Sequence, residues 1–252
     1  MSHDLSKPVT SVRHVESWPA PPALRVLMDH GRTAPRDPRT IAAVENRWEE
    51  LVAANPRMFN GPLLTVVGAD LESGLVECRR GDFKHLAVQD KVSTGTEILA
   101  VSGVVIARDR AGREHVLLGR RARQTRVYGG MWELGPSGGM PVPPDGVGDL
   151  CLDDFVRHLD EEMREEVGLE LEGARCVCAG FCRDFIAHSL DVMVRVEVRQ
   201  AVEDLPSASR DWEYEEVRWI ALDDIGEFDR AHADQIIPPT RAFWRSFGWA
   251  RE

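Results

Sequence analysis

Cysteine is scarce in this chain, 5 of 252 residues, and the number is odd. That density excludes a disulfide-stapled scaffold in a chain long enough to build its own core. Long apolar runs are missing too. The longest uncharged apolar stretch, Ile98 to Ala107, is ten residues, against the roughly 20 that cross a bilayer. The opening MSHDLSKPVTSVRHVESWPAPP has no apolar segment of the signal-peptide kind, so no membrane association and a reducing cytoplasm are expected. Basic residues are in deficit, 31 Lys+Arg against 42 Asp+Glu for a formal net charge of −11. This balance argues against nucleic-acid binding as the main activity, because phosphate contacts need clustered Lys and Arg. A Walker A loop, a dinucleotide Gly-x-Gly-x-x-Gly and a His-Glu-x-x-His are all absent. What remains is an ordinary globular composition, 43% hydrophobic and 29% charged.

The acidity is concentrated. Asp149 to Glu172 holds ten acids and two bases, −8 of the total −11. A helix is expected over about 150–167, ended by Gly168. At about 100° per residue, Glu162, Glu165 and Glu166 fall near about 0°, −60° and +40°, while Leu152, Phe155, Val156, Leu159, Met163 and Val167 span roughly 20° to 140°. Three carboxylates thus border the apolar face instead of opposing it. Like charges at this spacing destabilise a helix. A counter-ion resolves the conflict, and hard oxygen donors suit Mg²⁺ or Mn²⁺. The competing reading is a solvated acidic face.

Around this helix the chain reads as two units. Residues 1–36 form an extended arm rich in Pro, Arg and His. Asp37-Pro38 starts a helix whose apolar repeat (Ile41, Val44, Trp48, Leu51, Val52) stops at Asn55-Pro56. LLTVVGA (63–69) and GLVEC (74–78) are strand-like. From residue 95 follow a strand at 98–107, a partner HVLLGRR (115–121), MWEL (131–134), the loop GPSGGMPVPPDGVG, the acidic helix and the strands ARCVCAGFC, LDVMVRVEV and EVRWIAL. A docked C-terminal helix is expected around Phe243, Trp244, Phe247 and Trp249, an exposed-looking aromatic tail that offers a homodimer contact.

EEMREEVGLE (161–170) resembles the second half of the Nudix box, with Glu162, Met163, Glu165, Glu166, Gly168 and Leu169 matching by position. VLLGRRARQ and MWELGPSGG resemble that family's preceding strand and glycine turn, so the likeness covers about 95–170. It implies an α/β fold, a Nudix α/β/α sandwich with a mixed sheet over 95–252, and an N-terminal α+β extension over 1–94. It also implies Mg²⁺ or Mn²⁺ held by Glu162, Glu165 and Glu166 with the Gly139 carbonyl. A proton would be taken by Glu165, Glu166 or a carboxylate of 213–216, and Gly138, Arg121 and Arg123 would contact substrate. There are departures from the pattern. Thirteen residues separate Gly139 from Asp153 where the family has five, Asp153 replaces Glu, and Glu161 replaces Arg. Arg157 is expected to bridge Asp153 and Glu161. With NPRMFNGPLL (55–64), the atypical box resembles the branch that hydrolyses UDP-glucose and UDP-galactose, and Phe59 becomes either a uracil-stacking surface or a core residue. Hydrolysis of a nucleoside diphosphate sugar to nucleoside monophosphate and sugar 1-phosphate is the expectation. Another small nucleotide substrate (ADP-ribose, a dinucleoside polyphosphate) and a non-catalytic binding module are the alternatives.

Four other signals stand beside these. Seven arginines lie between Arg108 and Arg126, a local +5; bidentate guanidinium donors suit a diphosphate. GPSGG (135–139) matches a serine-hydrolase elbow, but GGMPVPPDG cannot start the helix an elbow needs at once. Cys176, Cys178 and Cys182 fall at even offsets, on one face of a strand, without the paired partners of a zinc site. DWEYEE (211–216) is an extra acidic cluster, either surface charge or a further carboxylate for the site.

Overall fold

The computed structural model describes residues 10–12, 14–29, 37–144, 148–209 and 212–250. Strands β1 (Thr10–Val12), β2 (Val15–Pro19) and β3 (Arg25–Asp29) come from the expected N-terminal arm. Helix α1 (Pro38–Ala54) starts as expected: Asp37 Oδ1 accepts the Arg39 and Thr40 N–H groups at 3.0 Å each. An antiparallel pair follows, β4 (Pro62–Asp70) and β5 (Leu75–Asp82), then the short helix α2 (Phe83–Ala87). Next come β6 (Ile98–Arg108), β7 (Glu114–Arg121), β8 (Trp132–Leu134), β9 (Ser137–Gly139), helix α3 (Leu152–Glu162), β10 (Arg175–Asp184) and β11 (Ser189–Ala201). The chain finishes with β12 (Tyr214–Ala221), α4 (Ile225–Ala231) and α5 (Pro238–Ser246).

The protein is mixed α/β, with one sheet between helical layers. The strands run β1-β2-β10-β11-β6-β4-β5-β3, while β7 branches from β6 to pair with β8 and β12, and β9 pairs with β6. β6 and β11 are parallel, Val101 opposite Val192, and their flanking pairs β10–β11 and β6–β7 are antiparallel. The arm divides between the two ends of this order. β2 pairs with β10 and β3 pairs with β5.

Alternation along β6 separates the layers. Leu99, Val101 and Val105 join the core under α3, with Phe155, Leu159, Met163 and Val167. Val104 and Ile106 face the other core, against Phe228, Phe243 and Trp244 of α4 and α5. The expected aromatic tail is therefore not an exposed surface: Phe243 and Trp244 are buried, and Phe247 stacks on Trp249 with ring centroids 4.8 Å apart.

Two further expectations are corrected. β10 slips register between Cys178 and Gly180. The extra residue reverses the alternation, so Cys176 and Cys178 pack on the α3 side while Cys182 joins the opposite core. All five cysteines are free. Arg157 does not bridge Asp153 and Glu161; it pairs with Asp154 at 2.6 Å. The long loop before α3, whose residues 145–147 lie outside the described set, is pinned at its end by reciprocal 2.9 Å hydrogen bonds between Leu150 and Val26. Among the described residues, no helix is long and apolar enough to cross a membrane.

Candidate functional site

Helix α3 is anchored so that it aims carboxylates. At its start Asp154 Oδ2 accepts the Cys151 N–H at 2.9 Å. Asp153 and Asp154 in its first turn complement the positive end of the helix dipole. Burial of Phe155, Leu159, Met163 and Val167 fixes its rotation. Beyond Glu162 the chain widens into a π turn, Met163–Val167, closed by Gly168, whose φ of 77° suits glycine and whose N–H reaches Met163 O at 2.8 Å. Such turns insert one residue into the helical ladder. Glu166 ends up inside, 3% exposed, and Glu165 stays on the solvent side.

Glu166 meets carboxylates from two other elements, Glu133 of β8 and Glu213 just before β12, besides Glu162 on its own helix. Burial first, then the charges of Glu213, Glu162 and Glu133, push the Glu166 carboxyl up to about 10, and it hydrogen-bonds Glu213. Burial also raises Glu162; His158 opposes that shift, and Glu213, Glu165 and Glu161 add to it. Glu166 Oε2 is buried without a hydrogen-bond partner. A desolvated oxygen among acids is costly unless a cation or proton compensates it. The donor set, all oxygen and collectively negative, fits a hard divalent ion. Among the described residues no three His, Cys, Asp or Glu side chains stand close enough to cage one, so a cation would require the carboxylates to close in.

The glycine turn lies against this group. β9 pairs Gly138 with Val101 and Gly139 with Ala100. A Cβ added at Gly138 would collide with the Glu162 carboxylate. The Gly139 carbonyl is 3.1 Å from His158 Nε2, and the same nitrogen is 3.2 Å from Glu162 Oε1.

The arginines divide. Arg121 Nη1 reaches Glu133 Oε1 at 2.6 Å and its Nε donates to Val127 O at 3.2 Å. Tyr214 donates its hydroxyl to the same Glu133 oxygen at 2.8 Å. Arg123 is exposed, and its backbone N–H donates to Glu215. Arg121 and Arg126 line a cavity of about 190 Å³ with Glu133, Gly138, Asp191 and Ser102. A larger open groove, about 920 Å³, is lined by Phe59, Phe83, Trp212, Glu213, Ile98 and Gly139. The two spaces share Ile98 and Gly139. Phe59 is 77% exposed, which removes the core alternative for it.

Of the expected site residues, Glu162, Glu166, Gly138 and Gly139 come together, Glu165 sits beside them facing outward, and Arg123 lies on the surface. Of the 211–216 acids, Glu213 joins the group, Glu215 and Glu216 pair with Arg120 at 3.6 and 3.4 Å, and Asp211 lies outside the described residues. Glu133 and His158 were not expected there. A signal for Glu133 exists, since an acid between Trp132 and Leu134 on a short strand faces away from the side those two fill. Ser137 lies within β9 and continues into a loop, so no nucleophile elbow forms.

No family model and no curated protein matches the chain. Among solved structures, a Nudix hydrolase from M. smegmatis, RenU, is similar over 60% of this chain and 84% of its own, at 22% identity and a TM-score of 0.39. A MutT protein from Methanosarcina mazei Go1 is similar over 60% and 93%, at 20% identity and 0.39. The NUDIX domain of Shewanella oneidensis NrtR complexed with ADP ribose is similar over 61% and 85%, at 16% identity and 0.40. These likenesses are partial backbone similarities.

Proposed function

We propose that this chain is a divalent-metal-dependent hydrolase of the Nudix kind, acting on the diphosphate of a nucleoside diphosphate derivative, with UDP-sugars as first substrates. The observation that carries the reading is Glu166: a buried carboxyl with one unpartnered oxygen, held against Glu213, Glu162 and Glu133. A retired site has no physical reason to keep such a repulsive group.

In this reading Glu162 and Glu166 hold Mg²⁺ or Mn²⁺ with the Gly139 carbonyl, and Glu165 adds negative charge from the solvent side. When bound, the cation would supply positive charge to the diphosphate and would make a nearby water more acidic. The remaining work belongs to the protein. Glu213, hydrogen-bonded to Glu166, takes the proton of the attacking water at its carboxylate. Gly138 leaves room for the Glu162 carboxylate to swing. Arg126 on the cavity wall, with Arg123 at the rim, supplies positive charge to the phosphates, while Arg121 holds Glu133 in place. Phe59 and Trp212 offer aromatic walls for the base. Residues 1–94 shape the groove and 95–252 carry the chemistry.

The test is a panel of UDP-sugars, ADP-ribose and dinucleoside polyphosphates with Mg²⁺ or Mn²⁺, scored for nucleoside monophosphate. Release of UMP and sugar 1-phosphate, lost in Glu166→Gln, supports the reading. Turnover of another member with the same loss keeps the chemistry and changes the substrate. Tight nucleotide binding without turnover of anything sinks the hydrolase and leaves a binding module.

A further inference from the structure

His158 has no part in the mechanism above, yet its imidazole occupies the point on which two of the assigned oxygen donors converge. Nε2 stands 3.1 Å from Gly139 O and 3.2 Å from Glu162 Oε1. The ring is packed, its side chain 13% exposed, and it sits one helical turn before Glu162 on α3. These separations have two meanings. They are hydrogen-bond lengths, and they are also the spacing of neighbouring ligands on one ion. At metal–donor distances of about 2.1 Å and right angles, adjacent donors lie about 3 Å apart.

The other ring nitrogen has the partner that a ligating histidine uses. Nδ1 is 3.5 Å from Glu161 Oε2. With the ring proton on Nδ1 facing that carboxylate, Nε2 carries a free lone pair within 3.1 Å of Gly139 O and 3.2 Å of Glu162 Oε1. Metal-bound histidines characteristically donate their second N–H to a carboxylate, which fixes tautomer and ring orientation. With the proton on Nε2 instead, the ring hydrogen-bonds the Gly139 carbonyl. The same geometry thus serves a latch and a ligand, exchanged by moving one proton across the ring.

We propose that His158 is a nitrogen ligand of the cation held by Glu162 and the Gly139 carbonyl, oriented by Glu161, and that it makes the site prefer a first-row transition ion such as Mn²⁺ or Co²⁺ over Mg²⁺. Imidazole binds later first-row ions far better than it binds Mg²⁺, for which oxygen donors are the rule. The inference rests on the metal reading of the carboxylate group and goes beyond it in naming a donor and a selectivity.

The test uses the full chain loaded with Mn²⁺, with the ion followed by electron spin-echo envelope modulation and its affinity by EPR titration. The expected result is a directly bound imidazole nitrogen in the wild type, lost in His158→Ala and in His158→Gln. The preference for Mn²⁺ over Mg²⁺ should fall by about tenfold or more in both variants and by less in Glu161→Gln. Because the nitrogen signal is read on the unmodified chain, a variant that folds poorly does not decide the matter. Mn²⁺ bound in a manner that Glu166→Gln abolishes, but with no nitrogen signal, overturns the His158 assignment and leaves the hydrolase standing. Failure of the wild type to bind Mn²⁺ at all overturns both.

Discussion

Arg121 meets Glu133 at 2.6 Å, and both are buried enough that each is the other's principal charge partner. The Glu133 charge raises the Arg121 guanidinium further above its ordinary range. An arginine committed in this way, with its Nε on the Val127 carbonyl, is a poor clamp for an incoming diphosphate. Removing one member of a buried pair strands the other charge. Arg121→Ala is expected to cost about 3 kcal/mol in urea unfolding, while Arg123→Ala, on the surface, stays within about 0.5 kcal/mol. Equal costs for the two would show that the Arg121 pair carries no special weight.

Phe59 supplies the reverse contrast. A core phenylalanine cut to alanine loses about 3–5 kcal/mol, but this ring is 77% exposed. Phe59→Ala should leave the melting temperature within a degree or so, while raising KM for nucleotide substrates several-fold with little change in kcat. A large fall in melting temperature would mean the ring packs in solution.

Glu166 makes stability of the chelator-treated protein depend on pH. Its carboxyl sits near about 10 in the fold against an ordinary value of 4.5. Between those values the native state binds the extra proton, so the stability tied to it is complete below about pH 4.5 and is lost as pH rises through about 10. Thermal melts without metal should show falling stability from about pH 6 to about pH 9, and Glu166→Gln should flatten that slope. Added Mn²⁺ should raise the melting temperature more at the alkaline end. A flat wild-type profile counts against the buried carboxyl.

Gly138→Ala tests the space beside Glu162. The new methyl meets the carboxylate, so affinity for the divalent ion should weaken by about tenfold, as read by calorimetry. Gly148→Ala, with open space around its Cβ position, is the control and should bind as the wild type does.

Much of the architecture was legible because hydrophobic periodicity carried it. Asp37-Pro38 set the start of α1, and the spacing of Phe155, Leu159, Met163 and Val167 gave α3 its buried face. The same periodicity put Glu166 beside the core and Glu165 farther from it. What could not be read was register and pairing between distant segments. The bulge in β10 parts Cys182 from Cys176 and Cys178, and no local pattern announces it. The acids of 211–216 were legible as candidates for the site, but which of them reaches Glu166 is decided by sheet pairing, which brings Glu213 there and turns Glu215 and Glu216 to Arg120. Arg157 chose Asp154 over Asp153 because side-chain direction along a helix, not spacing alone, decides which pair meets.

The carboxylate group draws on stretches far apart in the chain: β8, the end of α3 with its π turn, and the residue before β12. Contacts between such remote segments form late, because each must first close a long loop. A fragment ending before Glu213 lacks the carboxylate that hydrogen-bonds Glu166. A cation that binds there is therefore selective for the finished molecule. Through mass action it stabilises the folded state as a whole.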